Sequence, residues 1–282
     1  MNPRTLATRL LLLWLLLAGA ATAAQRTALV LGVFPYFSPE QLATLYRPLA
    51  DHLETRLGRP VRLVSAPDFA TFKRRTAAGR YDILVTAPHL GRIAERRNGY
   101  RWLALTRNRS EAVFVSRRDS GIHTLGDLRG RRLALPPPLA IVHQMALETL
   151  ERLGMEPQHD LRLLPRKSHD QALYAVIQGD ADAAAFGLPT WRRYRAPENR
   201  ALVVIGRSAS IPGFAILAHP RLGEPLLERL REALFAFPDT AEGRHFFDAT
   251  ALEGVRPVTH ADRALLDHYL ARIRAAREAG DP

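Results

Sequence analysis

Residues 167–187, KSHDQALYAVIQGDADAAAFG, read as one helix followed by one strand, and this pair sets the pattern for most of the chain. Ser168 stands where an N-cap is needed, Gln171 three residues on completes an S-x-x-Q capping box, and Gly179 offers a left-handed stop. Leu173, Val176 and Ile177 recur at helical spacing on one face. Residues 181–186 form a largely apolar run of mostly small side chains, short enough to be a buried strand. His169 is left at the mouth of the helix. The first-turn N–H groups there carry partial positive charge, so the position suits an anionic or polar ligand. The competing structural role for His169 is a helix-start residue bonded to a neighbouring loop carbonyl.

The same alternation continues on both sides. Toward the N-terminus, residues 28–33 are a continuous apolar run, and SPEQ at 38–41 combines an N-cap, a proline at the first helical position and a glutamine at the third. Leu42, Leu45, Leu49, Leu53 and Leu57 then carry an apolar face to Gly58. Strands follow at 61–64, 81–86 and 102–105, with helices at 69–78 and 89–97 between them. This β-α-β order implies a mostly parallel sheet. A second α/β series occupies 133–135, 141–153, 161–164, the opening stretch and 202–205, whereas beyond 214–218 the chain reads as helices alone, at 225–237, 240–247 and 261–277. The economical arrangement is α/β with two lobes: residues 25–111 and 214–282 form one, residues 112–213 the other, and two crossings join them as a two-strand hinge. Ligands of open α/β sheets bind beyond the carboxyl ends of strands, so segments 34–38, 67–69 and 86–89 are expected to line a cleft.

The N-terminus has its own signature. Arg4 and Arg9 precede an apolar stretch at 10–18, and Ala21-Thr22-Ala23 supplies small residues for cleavage, so residues 1–24 read as a signal peptide and the mature chain as periplasmic. The 282 residues contain no cysteine, so stability must come from the core rather than from disulfides. Lysine and arginine number 40 against 28 acidic residues, a formal charge of +12. The basic clusters are scattered over several elements without interleaved aromatics, which argues against nucleic acid. No HExxH or comparable histidine spacing suggests a metal, and no cofactor loop is present. Gly-x-Ser-x-Gly is absent, and Ser168-His169-Asp170 are chain neighbours at a helix start rather than a triad, so nothing argues for an enzyme.

Five segments together resemble the periplasmic solute-binding proteins of phosphate/phosphite/phosphonate ABC importers. They are LGVFPYFSPEQLATLYRPLADHLETRLGRPVRL at 31–63 with APDF at 66–69, YDILVTAP at 81–88, DSGIHTLGDLRGRRLAL at 119–135, KSHDQALYAVIQGDADAA at 167–184, and Ile211-Pro212-Gly213. The resemblance implies the two-lobed type 2 periplasmic-binding fold and a monomeric receptor that closes on a small solute. It also implies a membrane permease as partner; the alternative is a ligand sensor docking on the periplasmic domain of a sensor kinase. The family holds its oxyanion on a hydroxyl-rich helix start, which corresponds here to Pro138, Leu139, Ala140 and Ile141, where no hydroxyl survives. Pro136, Pro137 and Pro138 also remove three backbone donors. At roughly 1.5 to 3 kcal/mol per charge-assisted hydrogen bond, that loss predicts weak affinity for phosphate and simple alkylphosphonates. Where the resemblance leads one to expect hydroxylated or acidic groups, Phe69 and Phe214 stand instead, and Thr86 occupies the first-lobe turn. His169 corresponds to an oxyanion ligand of the family. The expected ligand-binding set is therefore His169, Ser168, Leu139, Ala140, Ile141, Phe69, Thr86, Tyr36 and Phe214, beside Phe34, in a cleft suited to a partly apolar solute with one polar or anionic group.

Overall fold

A computed structural model describes residues 27–138, 140–194 and 201–278. The signal peptide expected at 1–24 and Leu139 lie outside the described residues.

The chain opens with a buried strand, β1 (Leu29–Val33), and the long helix α1 (Pro39–Leu57). The predicted box forms at its start: Ser38 Oγ accepts from the Gln41 N–H and Gln41 Oε1 accepts from the Ser38 N–H, both at 3.3 Å. Leu42, Tyr46, Leu49, Ala50, Leu53 and Leu57 are buried, the stripe that a helix resting on a sheet requires. The βα alternation continues through β2 (Val61–Val64), α2 (Phe69–Ala77), β3 (Ile83–Thr86), α3 (Pro88–Asn98) and β4 (Arg101–Thr106). After the short β5 (Arg109–Ser110), a second series runs β6 (Ala112–Arg117), β7 (Arg132–Leu135), α4 (Ile141–Glu151), α5 (Pro157–Asp160), β8 (Arg162–Pro165), α6 (His169–Ile177), β9 (Ala183–Gly187), α7 (Leu188–Tyr194) and β10 (Leu202–Arg207). The chain returns through β11 (Ile211–Pro212) and β12 (Ala215–Ala218), then α8 (Glu224–Ala236), α9 (Ala241–Thr250), β13 (Val255–Arg256) and α10 (His260–Glu278).

Two sheets result, ordered β13-β4-β12-β3-β1-β2 and β10-β6-β9-β7-β8, with β5 and β11 paired as a separate antiparallel ribbon between them. Each sheet is mixed rather than mostly parallel. The βα crossovers give the expected parallel pairs β1–β2, β1–β3, β7–β8 and β7–β9. Strands entering from the ribbon insert in the opposite sense: β12 lies antiparallel between β3 and β4, and β6 lies antiparallel between β9 and β10. A strand arriving from the far sheet, without a helix to turn it around, runs against its neighbours.

The C-terminal quarter differs from expectation in two further ways. It is not wholly helical, since β13 pairs with β4. Its last helix also spans the layers instead of resting on the first sheet alone. In α10, Asp267 accepts from Arg92 of α3, at 2.8 Å for Nη2, while Arg272 donates to Glu151 of α4 at 2.9 Å.

Candidate functional site

The cavity lies at the carboxyl ends of β1, β3, β7 and β9, with a volume of about 70 Å³. Phe34 follows β1 directly and its N–H donates to the Val85 carbonyl at 3.0 Å. Its ring stacks on Tyr36 at 4.7 Å between centroids and meets Phe214 edge-on at 4.8 Å and Phe69 at 5.9 Å. These rings pack against each other, so they present one continuous apolar wall and not separate plates around a gap. The Tyr36 hydroxyl bonds the Tyr46 hydroxyl at 2.9 Å, and burial pushes its pKa far up. Tyr36 therefore contributes its ring and not its hydroxyl to the wall. Phe214 is fixed from behind, its N–H donating to Thr106 Oγ1 at 2.6 Å.

The opposite wall comes from the second sheet. Ala140, Ile141 and Val142 at the start of α4 line it, and neither α4 nor α3 has a side-chain cap on its first-turn N–H groups. The triple-proline loop before α4 is tied down by that helix: His143 Nδ1 bonds the Pro136 carbonyl at 2.8 Å and Gln144 Nε2 donates to the Pro138 carbonyl at 3.3 Å. His169 lines the cavity as well. Its Nδ1 accepts the Gly187 N–H at 3.0 Å, which leaves the proton on Nε2. Burial pushes the imidazole pKa down to about 4, against a small opposing pull from Asp170, so the ring is neutral near pH 7 and acts as a hydrogen-bond donor without charge.

Of the expected site residues, Tyr36, Phe69, Ala140, Ile141, His169 and Phe214 converge on this cavity. Two do not. Thr86 is fully buried one residue behind the wall, in register with Ala215 of β12. Ser168 is spent on capping α6, its Oγ accepting from the Gln171 N–H at 3.1 Å. The partner half of that box is shifted, because Gln171 Oε1 accepts from the Lys167 N–H instead of from Ser168.

The polar members that sequence reasoning missed are Ser110 and Thr190, 9 % and 7 % exposed; His89, 2 % exposed and within the expected wall segment 86–89, lines the cavity too. Ser110 sits in the two-residue β5 and Thr190 in the two-turn helix α7, elements too short to show a periodicity. No Asp, Glu, Lys or Arg is among the described residues that line the cavity.

Solved structures share this architecture. PhnD1 from Prochlorococcus marinus (MIT 9301), in complex with methylphosphonate, superposes with a TM-score of 0.77 at 14% identity, covering 90% of this chain and 99% of that one. A binding protein component of an ABC phosphonate transporter from Pseudomonas aeruginosa (PA3383) gives 0.72 at 18% identity over 91% and 100%. XAC2383 from Xanthomonas citri bound to ATP gives 0.71 at 22% identity over 89% and 98%. No curated protein sequence matches the chain. At such identities the likeness establishes the two-lobed fold alone; the family follows from sequence. Residues 31–263 match the periplasmic substrate-binding proteins of phosphonate ABC transporters, and the chain belongs to that family.

Proposed function

We propose that this protein is the periplasmic receptor of an ABC importer for a small, partly apolar solute whose head group is neutral or singly negative. Lobes 25–111 with 214–282, and 112–213, close on it about the β5–β11 ribbon, and the closed form presents the solute to a membrane permease. The observation that carries the reading is the cavity wall: four aromatic rings, neutral donors at His169, Ser110 and Thr190, and no charged side chain among the described lining residues. A phosphoryl group carries about −1.5 to −2 charges at pH 7. With no cation beside it, much of its desolvation cost goes uncompensated, whereas a single delocalised charge is met by neutral donors and two uncapped helix starts. In isothermal calorimetry, inorganic phosphate and methylphosphonate are expected to bind more weakly than about 1 mM. Micromolar binding of either would overturn this assignment of the head group.

Contacts also run from the second lobe to the first beside the cleft. From α7 of the second lobe, Arg192 donates to the Ala251 carbonyl at 3.2 Å and to Glu253 at 3.3 Å, and the Arg193 guanidinium lies 4.6 Å above the Phe37 ring. Half-exposed contacts of this kind contribute about 0.5 to 1 kcal/mol each, enough together to shift an open–closed equilibrium several-fold. The double variant Arg192→Ala, Arg193→Ala is expected to show a larger radius of gyration in small-angle scattering than the parent protein. An unchanged radius would remove α7 from the closing mechanism.

A further inference from the structure

A second chamber, of about 70 Å³, shares Phe69, His89 and Ala140 with the first and lies between α2, α3, α10 and the proline loop. Its own lining is Ala70, Leu90, Ile93, Pro137 and Ile273, with Lys73 one turn along α2 from Phe69. Ala70 is exposed and Ile273 is buried, so this outer chamber runs from solvent inward to the shared wall. Lys73 is the sole charged side chain among the described residues that line either chamber.

We propose that the two chambers form one continuous site for an elongated amphipathic acid, with its head at Ser110, Thr190 and His169, its apolar body passing Phe69, His89 and Ala140, and an acidic far end at Lys73. This rests on the receptor reading above and deepens it by assigning the shape and charge pattern of the solute. Three features support it. Apolar surface beyond Phe69 contributes to binding only when the solute reaches it, so a solute the size of methylphosphonate would leave the outer chamber unused. The polar groups are placed at the two ends of the combined space, neutral donors inside and one ammonium outside, with apolar side chains between. An outer acidic end also keeps partial hydration, where a single lysine suffices as counter-charge.

The test is calorimetry on the mature protein with benzoate, octanoate and decanedioate as probes, for the parent and for Ala70→Trp, Ile93→Phe and Lys73→Gln. Octanoate and decanedioate are expected to bind at least tenfold more tightly than benzoate. Ala70→Trp or Ile93→Phe should remove that advantage while leaving benzoate within twofold, and Lys73→Gln should weaken decanedioate about fivefold or more with octanoate unchanged. Circular dichroism of each variant identifies a misfolded one, and Lys73→Gln, at a half-exposed position, carries the test if both filling variants fail to fold. Octanoate binding no tighter than benzoate, or long-probe affinity insensitive to all three substitutions, would overturn the extended site and leave the receptor reading standing. Absence of binding by all three probes overturns the extended site, and the receptor reading falls with it only if small solutes recovered by native mass spectrometry are also absent.

Discussion

Replacing Gly213 with alanine is expected to destabilise the protein by about 3 kcal/mol, the upper end of what overpacking a tight site costs. Gly213 joins β11 to β12, where the chain leaves the ribbon for the middle of the first sheet. A Cβ there would stand 2.4 Å from Asn108 Oδ1 and Thr106 Oγ1 and 2.5 Å from the Asn108 carbonyl oxygen. None of these atoms can yield cheaply. Thr106 and Asn108 are 1 % and 3 % exposed, and the Thr106 hydroxyl is already committed, donating to Asn108 Oδ1 and accepting from the Phe214 N–H, both at 2.6 Å. Moving that hydroxyl also moves Phe214, whose ring is part of the cavity wall. At about 2 to 4 °C per kcal/mol for a chain of this size, the thermal midpoint should fall by roughly 6 to 12 °C. Gly126→Ala is the control: its nearest neighbour would be the Thr124 hydroxyl at 3.5 Å, and its backbone needs no left-handed conformation. That variant should melt within about 1 °C of the parent. Equal midpoints for the two variants would mean that the crossing is not packed as described.

The contrast between those two glycines marks what the sequence can and cannot carry. Helix α1 was legible because cap, proline, apolar stripe and Gly58 stop all lie within twenty-odd consecutive residues and agree. The two α/β series were legible for the same reason. The position of β12 was not, since a four-residue apolar strand fits any slot in a sheet, and only the packing of distant β3 and β4 leaves one open for it. The two-residue strands β5, β11 and β13 and the seven-residue α7 have no period to display. Hence Ser110 and Thr190 were overlooked as single polar residues in unmarked stretches, while the aromatic wall was found, because Phe34, Tyr36, Phe69 and Phe214 each follow a recognisable strand end or hinge motif. Ser168 illustrates the reverse error. Its position beside His169 suggested a ligand contact, yet a helix start needs its N-cap oxygen for its own N–H groups, and that local demand is met first.

His169 was expected at the site and lines the cavity, and its burial there implies a titration that can be measured. In an unfolded chain its pKa is about 6.5, whereas in the fold burial against the apolar wall holds it near 4. Above pH 6.5 the ring is neutral in both states and contributes no pH dependence. As the pH falls below 6.5 the unfolded state takes up a proton that the folded state refuses, so unfolding becomes progressively more favourable until about pH 4, where the folded ring protonates too. The full loss across that window is on the order of 3 kcal/mol. Carboxylates held low by arginines, such as Asp182 beside Arg132 and Asp262 beside Arg256, also lose stabilisation on acidification, chiefly at the lower end of the same range and below it. A His169→Asn variant separates the two: its side-chain oxygen can still accept the Gly187 N–H but does not titrate. In urea unfolding at a series of pH values, the stability of the parent relative to this variant should fall by about 2 to 3 kcal/mol from pH 7 to pH 4, while solute affinity stays flat between pH 6 and pH 8 because the ring is already neutral there. Parallel curves for the two proteins across the window would show that His169 is freely protonated, and hence not lodged in the wall of the cavity.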